Sequence, residues 1–273
     1  MQLQLVSRPI SGQDGQKSTW RISMRRIAPY LGIALILIVW QAVVWLKVYP
    51  EFIIPSPLSV AERFIEVVQD GRLWLHTRTT LSQMLVGFAI GVIAGVLMGY
   101  CIAKSRLLED VLSPLLVAMQ STPIVAYAPL LVIWFGSGPT SKIITSALIV
   151  FFPLLLNTTV GIRAVPPAQR ELLESMSASH WQFFYLLEIP TALPVILGGL
   201  KVSATLAVIG AVVGEFVSAD SGLGYLVNRA RYDYDTPLVM VAIVTLAAIA
   251  RLMYGSIAFL EHRMLYWRTY ADQ

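Results

Sequence analysis

The feature that most constrains this sequence is a series of long apolar runs in which charged side chains are rare. A helix of about 20 apolar residues crosses the hydrocarbon core of a bilayer. Only 13% of the 273 residues are charged, whereas soluble proteins carry about 25%. We therefore predict an all-α, polytopic membrane protein with six transmembrane helices. The predicted spans are residues 28–46, 81–103, 111–141, 143–162, 191–214 and 237–260.

The remaining composition argues against several classes of function. The net charge is +4, and the basic residues flank the apolar runs instead of clustering, so we expect no nucleic-acid partner. Cys101 is the only cysteine, which excludes an internal disulfide framework. The histidines His76, His180 and His262 lie far apart without the spacing of metal ligands, so no metal site is expected.

The placement of lysine and arginine predicts how the chain is oriented in the membrane. Residues 1–27 are polar and basic, and we interpret them as a disordered cytoplasmic tail. Basic residues are more numerous in the predicted loops on the side of this tail, and such loops stay in the cytoplasm. Both termini and the loop 163–190 of this multi-pass protein are therefore predicted to be cytoplasmic. Residues 28–273 would form the transmembrane domain, with a core of about 75–262.

Glycines recur at every fourth position of the second predicted span. Fourfold spacing places Gly87, Gly91, Gly95 and Gly99 on one face of a helix. Without side chains on that face, the backbone of a neighbouring helix can approach closely. Tight helix packing is the favoured interpretation, and a moving or substrate-lining interface is the alternative.

Polar residues beside prolines indicate where a pathway through the membrane would lie. Prolines within the third span free backbone carbonyl groups, which are tolerated at bilayer depth where they line a wet cavity. A buried structural kink would also explain them, and helix-to-helix hydrogen bonding would explain a polar residue in the fourth span. The candidate pathway residues are Gln120, Ser121, Thr122, Pro123, Asn157 and Glu215.

Two basic residues lie within predicted spans. Lys201 is close to the cytoplasmic end of the fifth span, so we expect its side chain to extend back to the interface. Arg251 is deeper in the sixth span, where a charge needs a partner, water or a route to the interface. A substrate-binding role for Arg251 is the less favoured alternative.

The segment 171–194 is unusually patterned for a loop between two spans. Pro166 and Pro167 are suited to begin a helix, and apolar residues then recur at spacings of three to four. The small residues 177–179 favour a bend, and Pro190 and Pro194 are expected to end the element before the fifth span. The pattern predicts a bent pair of amphipathic helices at the cytoplasmic surface. Its apolar stripe would be buried against lipid headgroups, the ends of the spans or a partner protein.

This segment resembles the cytoplasmic signature of permease subunits of binding-protein-dependent ABC importers, Glu-Ala-Ala-x3-Gly-x9-Ile-x-Leu-Pro. Glu171 and Pro190 match by identity, all the spacings agree, and Ser177 replaces the glycine. The similarity extends over about residues 55–268. It implies a coupling helix in the loop 163–190 that docks on a separate ATP-binding subunit. The residues implied in coupling are Glu171, Glu174, Ser177, Ala178, Trp181 and Pro190.

The resemblance also implies a function and partners. The chain would be a permease subunit that imports a small organic nutrient delivered by an external binding protein, paired with a second permease subunit expected to be another copy of itself. It would contact membrane lipid, bind no cofactor and be no enzyme, since ATP would be hydrolysed on the ATP-binding subunits. Residues 207–216 look most like permeases for riboflavin or thiamine-pyrimidine precursors. The alternatives are an importer of aliphatic sulfonates, taurine or nitrate and, less favoured, a stand-alone secondary carrier or a membrane enzyme.

Overall fold

The computed structural model describes residues 31–266, and every element of secondary structure among them is a helix. No β-strand occurs between residues 31 and 266, so the prediction of an all-helical protein is confirmed. The predicted tail 1–27 and the first three residues of the first predicted span lie outside the described residues. The chain divides into two compact units, residues 1–60 and residues 61–273.

The first unit contains helix α1, Leu31–Trp45, which is apolar but only 15 residues long in the described part. The indole nitrogen of Trp40 donates a hydrogen bond to the carbonyl oxygen of Pro55, 3.0 Å away, and so fixes the following loop against α1. The Ser56 hydroxyl then accepts from the backbone nitrogen of Ser59 at 3.0 Å. This is the hydrogen bond of a helix N-cap, and α2, Pro57–Gln69, begins here.

The second unit contains the remaining elements. Its helices are α3 Arg72–Lys104, α4 Arg106–Ser121, α5 Ile124–Phe135, α6 Pro139–Arg163, α7 Pro167–Ser175, α8 His180–Gln182, α9 Ile189–Val217, α10 Leu223–Tyr232 and α11 Thr236–Met264. A π-helical segment, Phe183–Glu188, joins α8 to α9, so that His180–Val217 is one continuous helix. Among the described residues, four helices are long and apolar enough to cross a membrane: α3, α6, His180–Val217 and α11.

The third predicted span, residues 111–141, is not a single straight helix. It is divided at Thr122 and Pro123 into α4 and α5, whose axes differ by 99°. Proline explains the break, because Pro123 lacks the amide hydrogen needed to continue α4 and restricts the preceding residue to extended backbone. Counting this bent pair as one span brings the number of candidate spans in residues 31–266 to five.

The core is a layer of three helices in which α6 lies between α3 and α9. The four glycines of α3 face α6 in an even register. A Cβ built on Gly87 would lie 2.7 Å from the carbonyl oxygen of Ile143, and one on Gly91 would lie 2.6 Å from that of Ala147. Gly95 and Gly99 repeat the relationship one and two turns further along α6. Only glycine permits so close a backbone approach.

The other face of α6 packs against small residues of α9. A Cβ on Gly210 would lie 2.6 Å from the Cα of Ser146. The Ser146 hydroxyl donates to the carbonyl oxygen of Ala207 at 3.0 Å, which satisfies a buried polar group within the helix contact. Helices α10 and α11 pack on α9. Helix α9 is therefore in contact with most of the second unit.

The expectation that Pro190 and Pro194 end the central element is wrong. Pro190 lies in the first turn of α9 and Pro194 inside it, and the helix runs through both. The π-helical segment provides a physical reason. The backbone nitrogen of Ile189 bonds to the carbonyl oxygen of Phe184, five residues back, and this wider turn immediately precedes Pro190, which has no amide hydrogen to donate.

Candidate functional site

The loop 163–190 contains the predicted bend, but only the helix before it, α7, is short, because the helix after it is the start of the long helix His180–Val217. Pro166 caps α7 and Pro167 begins it. At the other end of α7, the backbone nitrogens of Ser177 and Ala178 bond to the carbonyl oxygens of Glu174 and Leu173, at 2.9 and 3.0 Å. This pair of bonds is the Schellman motif, and it requires left-handed backbone at Ser177, where φ is +55°. A position that usually holds glycine is therefore occupied here by serine.

The helix after the bend begins with a capping box. The Ser179 hydroxyl accepts from the backbone nitrogen of Gln182 at 3.3 Å, and the Gln182 side chain accepts from the backbone nitrogen of Ser179 at 2.7 Å. These reciprocal bonds satisfy donors that a helix start otherwise leaves open. The bend and the two caps thus define a hydrogen-bonded corner, residues 171–182, between α7 and the long helix His180–Val217.

One face of this corner is apolar and uncovered in the isolated chain. Leu172, Met176 and Trp181 are exposed over 60, 68 and 74% of their surface. Glu171 and Glu174 are exposed beside them, and Ala178 is half-buried. Large apolar areas exposed to water mark sites of association in other proteins. The corner therefore presents a surface suited to a partner with both apolar and basic groups.

The helix that follows the bend is tied to the end of α3. Phe184 contacts Tyr100 edge-to-face, with the ring centroids 5.6 Å apart. Glu188 is buried and forms an ion pair with Lys104, the last residue of α3. The Lys104 ammonium also lies over the ring of Tyr100, with its nitrogen 5.6 Å from the ring centroid. Sequence reasoning missed Glu188, although a lone carboxylate among the apolar residues 183–189 is a signal for a buried ion pair.

A second ion pair joins neighbouring elements at the same end of the core. The Arg163 guanidinium donates to both carboxylate oxygens of Glu109, at 2.5 and 2.7 Å, and to the carbonyl oxygen of Ile102 at 3.1 Å. Arg163 ends α6, Glu109 lies in the first turn of α4, and Ile102 is in the last turn of α3. The ends of three helices are thereby held together beside the loop 163–190.

The predicted pathway residues lie in three different places. Gln120, Ser121, Thr122 and Pro123 are at the break between α4 and α5, where the hydroxyls of Ser121 and Thr122 bond back to carbonyl oxygens of α4 at 2.8 and 3.2 Å. Asn157 bonds to the carbonyl oxygen of Pro153 in α6 at 2.8 Å. Its side chain also lies against Gly199 of α9.

Glu215, the sixth predicted pathway residue, is buried beneath the turn that follows α9. Its carboxylate accepts from the Thr80 hydroxyl at 2.7 Å and from the backbone nitrogen of Gly224 at 2.6 Å. Thr80 in turn accepts from the backbone nitrogen of Leu223 at 2.7 Å, and His76 accepts from that of Gly222 at 3.1 Å. These bonds fix the start of α10 to α3, so Glu215 and Thr80 satisfy backbone donors at a helix N-terminus.

The two basic residues within predicted spans have identifiable neighbours. Lys201 does not simply extend to the interface, because its ammonium pairs with the Glu261 carboxylate of α11 at 2.7 Å. The Arg251 guanidinium lies 6.0 Å from the ring centroid of Tyr254, within the range of a cation–π contact. Both charges therefore have a structural partner within the chain.

Residues 91–266 match a protein family described as "Binding-protein-dependent transport system inner membrane component". The chain is 46% identical over 245 residues to the riboflavin transport system permease protein RibX of Chloroflexus aurantiacus, covering 88% of this chain and 91% of that protein. It is 33% identical over 246 residues to the formylaminopyrimidine transport permease protein ThiX of Halalkalibacterium halodurans, covering 90% of this chain and 98% of that protein.

The fold is similar to that of a solved membrane transporter. An inward-facing structure of the MetNI methionine ABC transporter superimposes with a TM-score of 0.59 at 18% identity, covering 68% of this chain and 92% of that chain. The family match covers well over half of the sequence, and both relatives align over nearly their whole length. The chain belongs to the family of inner-membrane components of binding-protein-dependent transport systems.

Proposed function

We propose that this permease subunit imports a vitamin-type heterocycle, riboflavin or a thiamine-pyrimidine precursor, and that the loop 163–190 couples the import to ATP hydrolysis. The transport class follows from the family, whose permease subunits are not enzymes and use ATP on a separate subunit. The substrate class is supported by relatives named for riboflavin and for formylaminopyrimidine. The alternatives within the same class are aliphatic sulfonates, taurine and nitrate.

The observation that carries the coupling proposal is the uncovered apolar face of the corner at Ser177. Leu172 and Met176 are exposed before the candidate span His180–Val217 begins, and Trp181 is exposed in the first turn of that span. Burying them against an ATP-binding subunit would favour association by the hydrophobic effect. Glu171 and Glu174 flank them and would select a basic groove on that partner. Ser177, Ala178 and Pro190 would shape the corner and its connection to α9.

The continuity of His180–Val217 supplies a mechanical route from this corner into the membrane. A partner that moves the corner when it binds ATP would displace α9 as a rigid rod, and the pair between Lys104 and Glu188 would carry α3 with it. Since α6 lies between α3 and α9, the three helices would rock as a body. The cavity formed with a second copy of the chain would then face alternate sides of the membrane.

The arrangement in the membrane is proposed as six spans with both termini in the cytoplasm. Helix α1 would be the end of the first span, and α4 with α5 the broken third one. The tail 1–27 would then be cytoplasmic and the domain 28–273 would span the inner membrane, with its core at about 75–262. An external binding protein would deliver the substrate to the opposite face.

The translocation pathway is proposed to pass the break between α4 and α5. Backbone that leaves the helical pattern within a membrane protein is tolerated where it lines a cavity. Gln120 is exposed, and the helix is interrupted at Thr122 and Pro123, so these residues would line such a cavity once the second permease subunit is present. Asn157 and Glu215 are weaker candidates, because their polar atoms are already engaged with α6 and with α10.

The coupling proposal is tested by the charge reversal Glu171→Lys. In proteoliposomes with the ATP-binding subunit and the binding protein, the variant should lose most of the ATPase stimulation caused by loaded binding protein, while the permease still folds. Glu62→Lys reverses an exposed charge on α2 and serves as the control. Normal stimulation in Glu171→Lys, or an equal loss in Glu62→Lys, would refute the coupling role. Binding of a panel of vitamins, precursors and sulfonates to the binding protein would test the substrate class separately.

A further inference from the structure

A basic cavity lies at the junction of α3, α6 and α7. It has a volume of about 400 Å³ and is lined by Lys104, Arg163 and Arg170, together with apolar residues that include Ile162, Val165 and Pro167. No acidic residue lines this cavity. Three cations around one concave site favour an anionic ligand.

The charges around this cavity are only partly balanced. Lys104 is paired with Glu188, and Arg163 with Glu109. Arg170 is exposed, and no ion pair or hydrogen bond from its side chain to another described residue is present. It also faces a neighbouring cavity of about 560 Å³, where Glu174 and Glu188 are the acidic residues. One positive charge beside the basic cavity therefore has no partner among residues 31–266.

An apolar cavity adjoins the basic one. It has a volume of about 510 Å³ and its wall presents only apolar atoms. It is lined by residues of α3, α6, α9 and the π-helical segment, among them Val96, Leu97, Phe184, Leu193 and Ile196. Ile162 lines both cavities. A ligand that fills both would carry a negative headgroup and an extended hydrocarbon part.

We propose that the two cavities together form a binding site for an anionic phospholipid. The phosphate would lie between Lys104, Arg163 and Arg170, and an acyl chain would occupy the apolar cavity. The location agrees with this ligand, because both cavities are at one end of α3, α6 and α9, where the apolar part of the spans gives way to the loops. Basic pockets between transmembrane helices are known to hold lipid headgroups.

The apolar cavity distinguishes a lipid from a free phosphate. A water-soluble anion would use only the three cations and would leave the cavity beside Val96 and Leu193 unfilled. Burial of a hydrocarbon chain there adds the hydrophobic effect to the charge attraction. The site also adjoins the coupling corner through Phe184 and Lys104, so an occupied site would brace the corner against α3 and α6.

Native mass spectrometry of the purified full-length chain, with its ATP-binding subunit, tests the site. Dioleoylphosphatidylglycerol should bind as a defined adduct and dioleoylphosphatidylcholine much more weakly. Arg170→Gln should weaken phosphatidylglycerol binding roughly fivefold, because this is the contribution that one basic residue makes to the affinity for an anionic headgroup. Val96→Trp, which fills the apolar cavity, should weaken the binding of both lipids. Arg106→Gln removes an exposed cation that lines neither cavity and should leave binding unchanged.

Several outcomes would overturn the proposal. Equal weakening by Arg106→Gln and Arg170→Gln would mean general attraction at the interface. Binding of glycerol 3-phosphate as tight as that of the whole lipid would indicate a free-anion site. Loss of the adduct whenever the ATP-binding subunit is attached would assign Arg170 to the protein interface instead. Because lipid binding is measured without transport, failure of this proposal and failure of the proposed transport function are distinguishable.

Discussion

Lys104, the last residue of α3, forms an ion pair with Glu188, a buried residue of the π-helical segment that leads into α9. The pair connects the helix that follows the bend at Ser177 to a helix that is distant in sequence. Its two members differ in burial, because 41% of the Lys104 side chain is exposed and only 3% of the Glu188 side chain. This asymmetry means that the two residues are not equivalent as sites of mutation.

Lys104→Met should destabilise the protein more than Glu188→Gln. The first change leaves a buried carboxylate without its partner, whereas the second leaves only a lysine that water can solvate. We expect Lys104→Met to lower the free energy of unfolding by about 1–3 kcal/mol and Glu188→Gln by less than half as much. Thermal unfolding of the purified permease in detergent measures both.

The double variant Lys104→Met/Glu188→Gln provides the control for this prediction. It should be more stable than Lys104→Met alone, because the unpaired carboxylate is then gone. A lower midpoint for the double variant than for both single variants would show that the two residues act independently.

Ser177→Gly should stabilise the bend between α7 and the helix His180–Val217. Left-handed backbone costs a non-glycine residue about 1–2 kcal/mol, and glycine removes most of this cost. Ser177→Val should have the opposite effect, because a β-branched side chain is poorly accommodated at φ +55°. We expect stimulated ATPase activity to be kept in Ser177→Gly and reduced in Ser177→Val. Ser175→Gly, within α7, is the matched control and should lower the free energy of unfolding by about 0.5–1 kcal/mol. A higher free energy of unfolding in both glycine variants would contradict the account.

Gly91→Ala should separate α3 from α6. The added Cβ would lie 2.6 Å from the carbonyl oxygen of Ala147 and 2.8 Å from the Cβ of Val150. A carbonyl oxygen belongs to the backbone and a Cβ is bonded directly to it, so neither atom can move away unless the helix moves. Overpacking of this kind costs about 1–3 kcal/mol. Gly198→Ala introduces the same methyl group in α9 where nothing lies within 4 Å. Thermal midpoints should fall for the first variant only, and an equal fall in both would exclude the close contact.

Glu215→Leu should loosen the start of α10. The backbone nitrogen of Gly224 and the hydroxyl of Thr80 would lose their acceptor, at a cost of about 1–3 kcal/mol for each buried group. Glu215→Gln keeps one acceptor oxygen and should have a smaller effect. Hydrogen exchange of the amides at 222–226 should accelerate in the order wild type, Gln, Leu. Identical exchange in Gln and Leu variants would show that these bonds do not hold the turn.

Some of this architecture could be predicted from the sequence because it depends on local pattern. The fourfold glycine spacing identified one face of α3, but it could not identify α6 as the helix that lies there. The bend at Ser177 was expected from small residues, and the structure adds the reason, a Schellman motif that needs positive φ.

Other features depend on contacts that no local pattern reveals. Pro190 was expected to end a helix, yet a wider π-helical turn before it lets the helix continue. The pair between Lys104 and Glu188 joins residues 84 positions apart in the chain. Glu215 looked like a pathway residue because it is acidic and near a span end, whereas its surroundings depend on how the turn after α9 folds back onto α3.

The most direct test of the central claim is uptake of labelled riboflavin by proteoliposomes that contain this chain and its ATP-binding subunit. We predict uptake only when ATP is present on the side of the membrane that carries the ATP-binding subunit and loaded binding protein is present on the other side. Glu171→Lys should abolish this uptake. If riboflavin is not taken up, the same measurement is made with a pyrimidine precursor, taurine, a sulfonate and nitrate. ATP-dependent uptake of one of these would show that the substrate was assigned wrongly but the transport mechanism correctly. Uptake of any of these that persists without the ATP-binding subunit and follows an ion gradient would contradict the account.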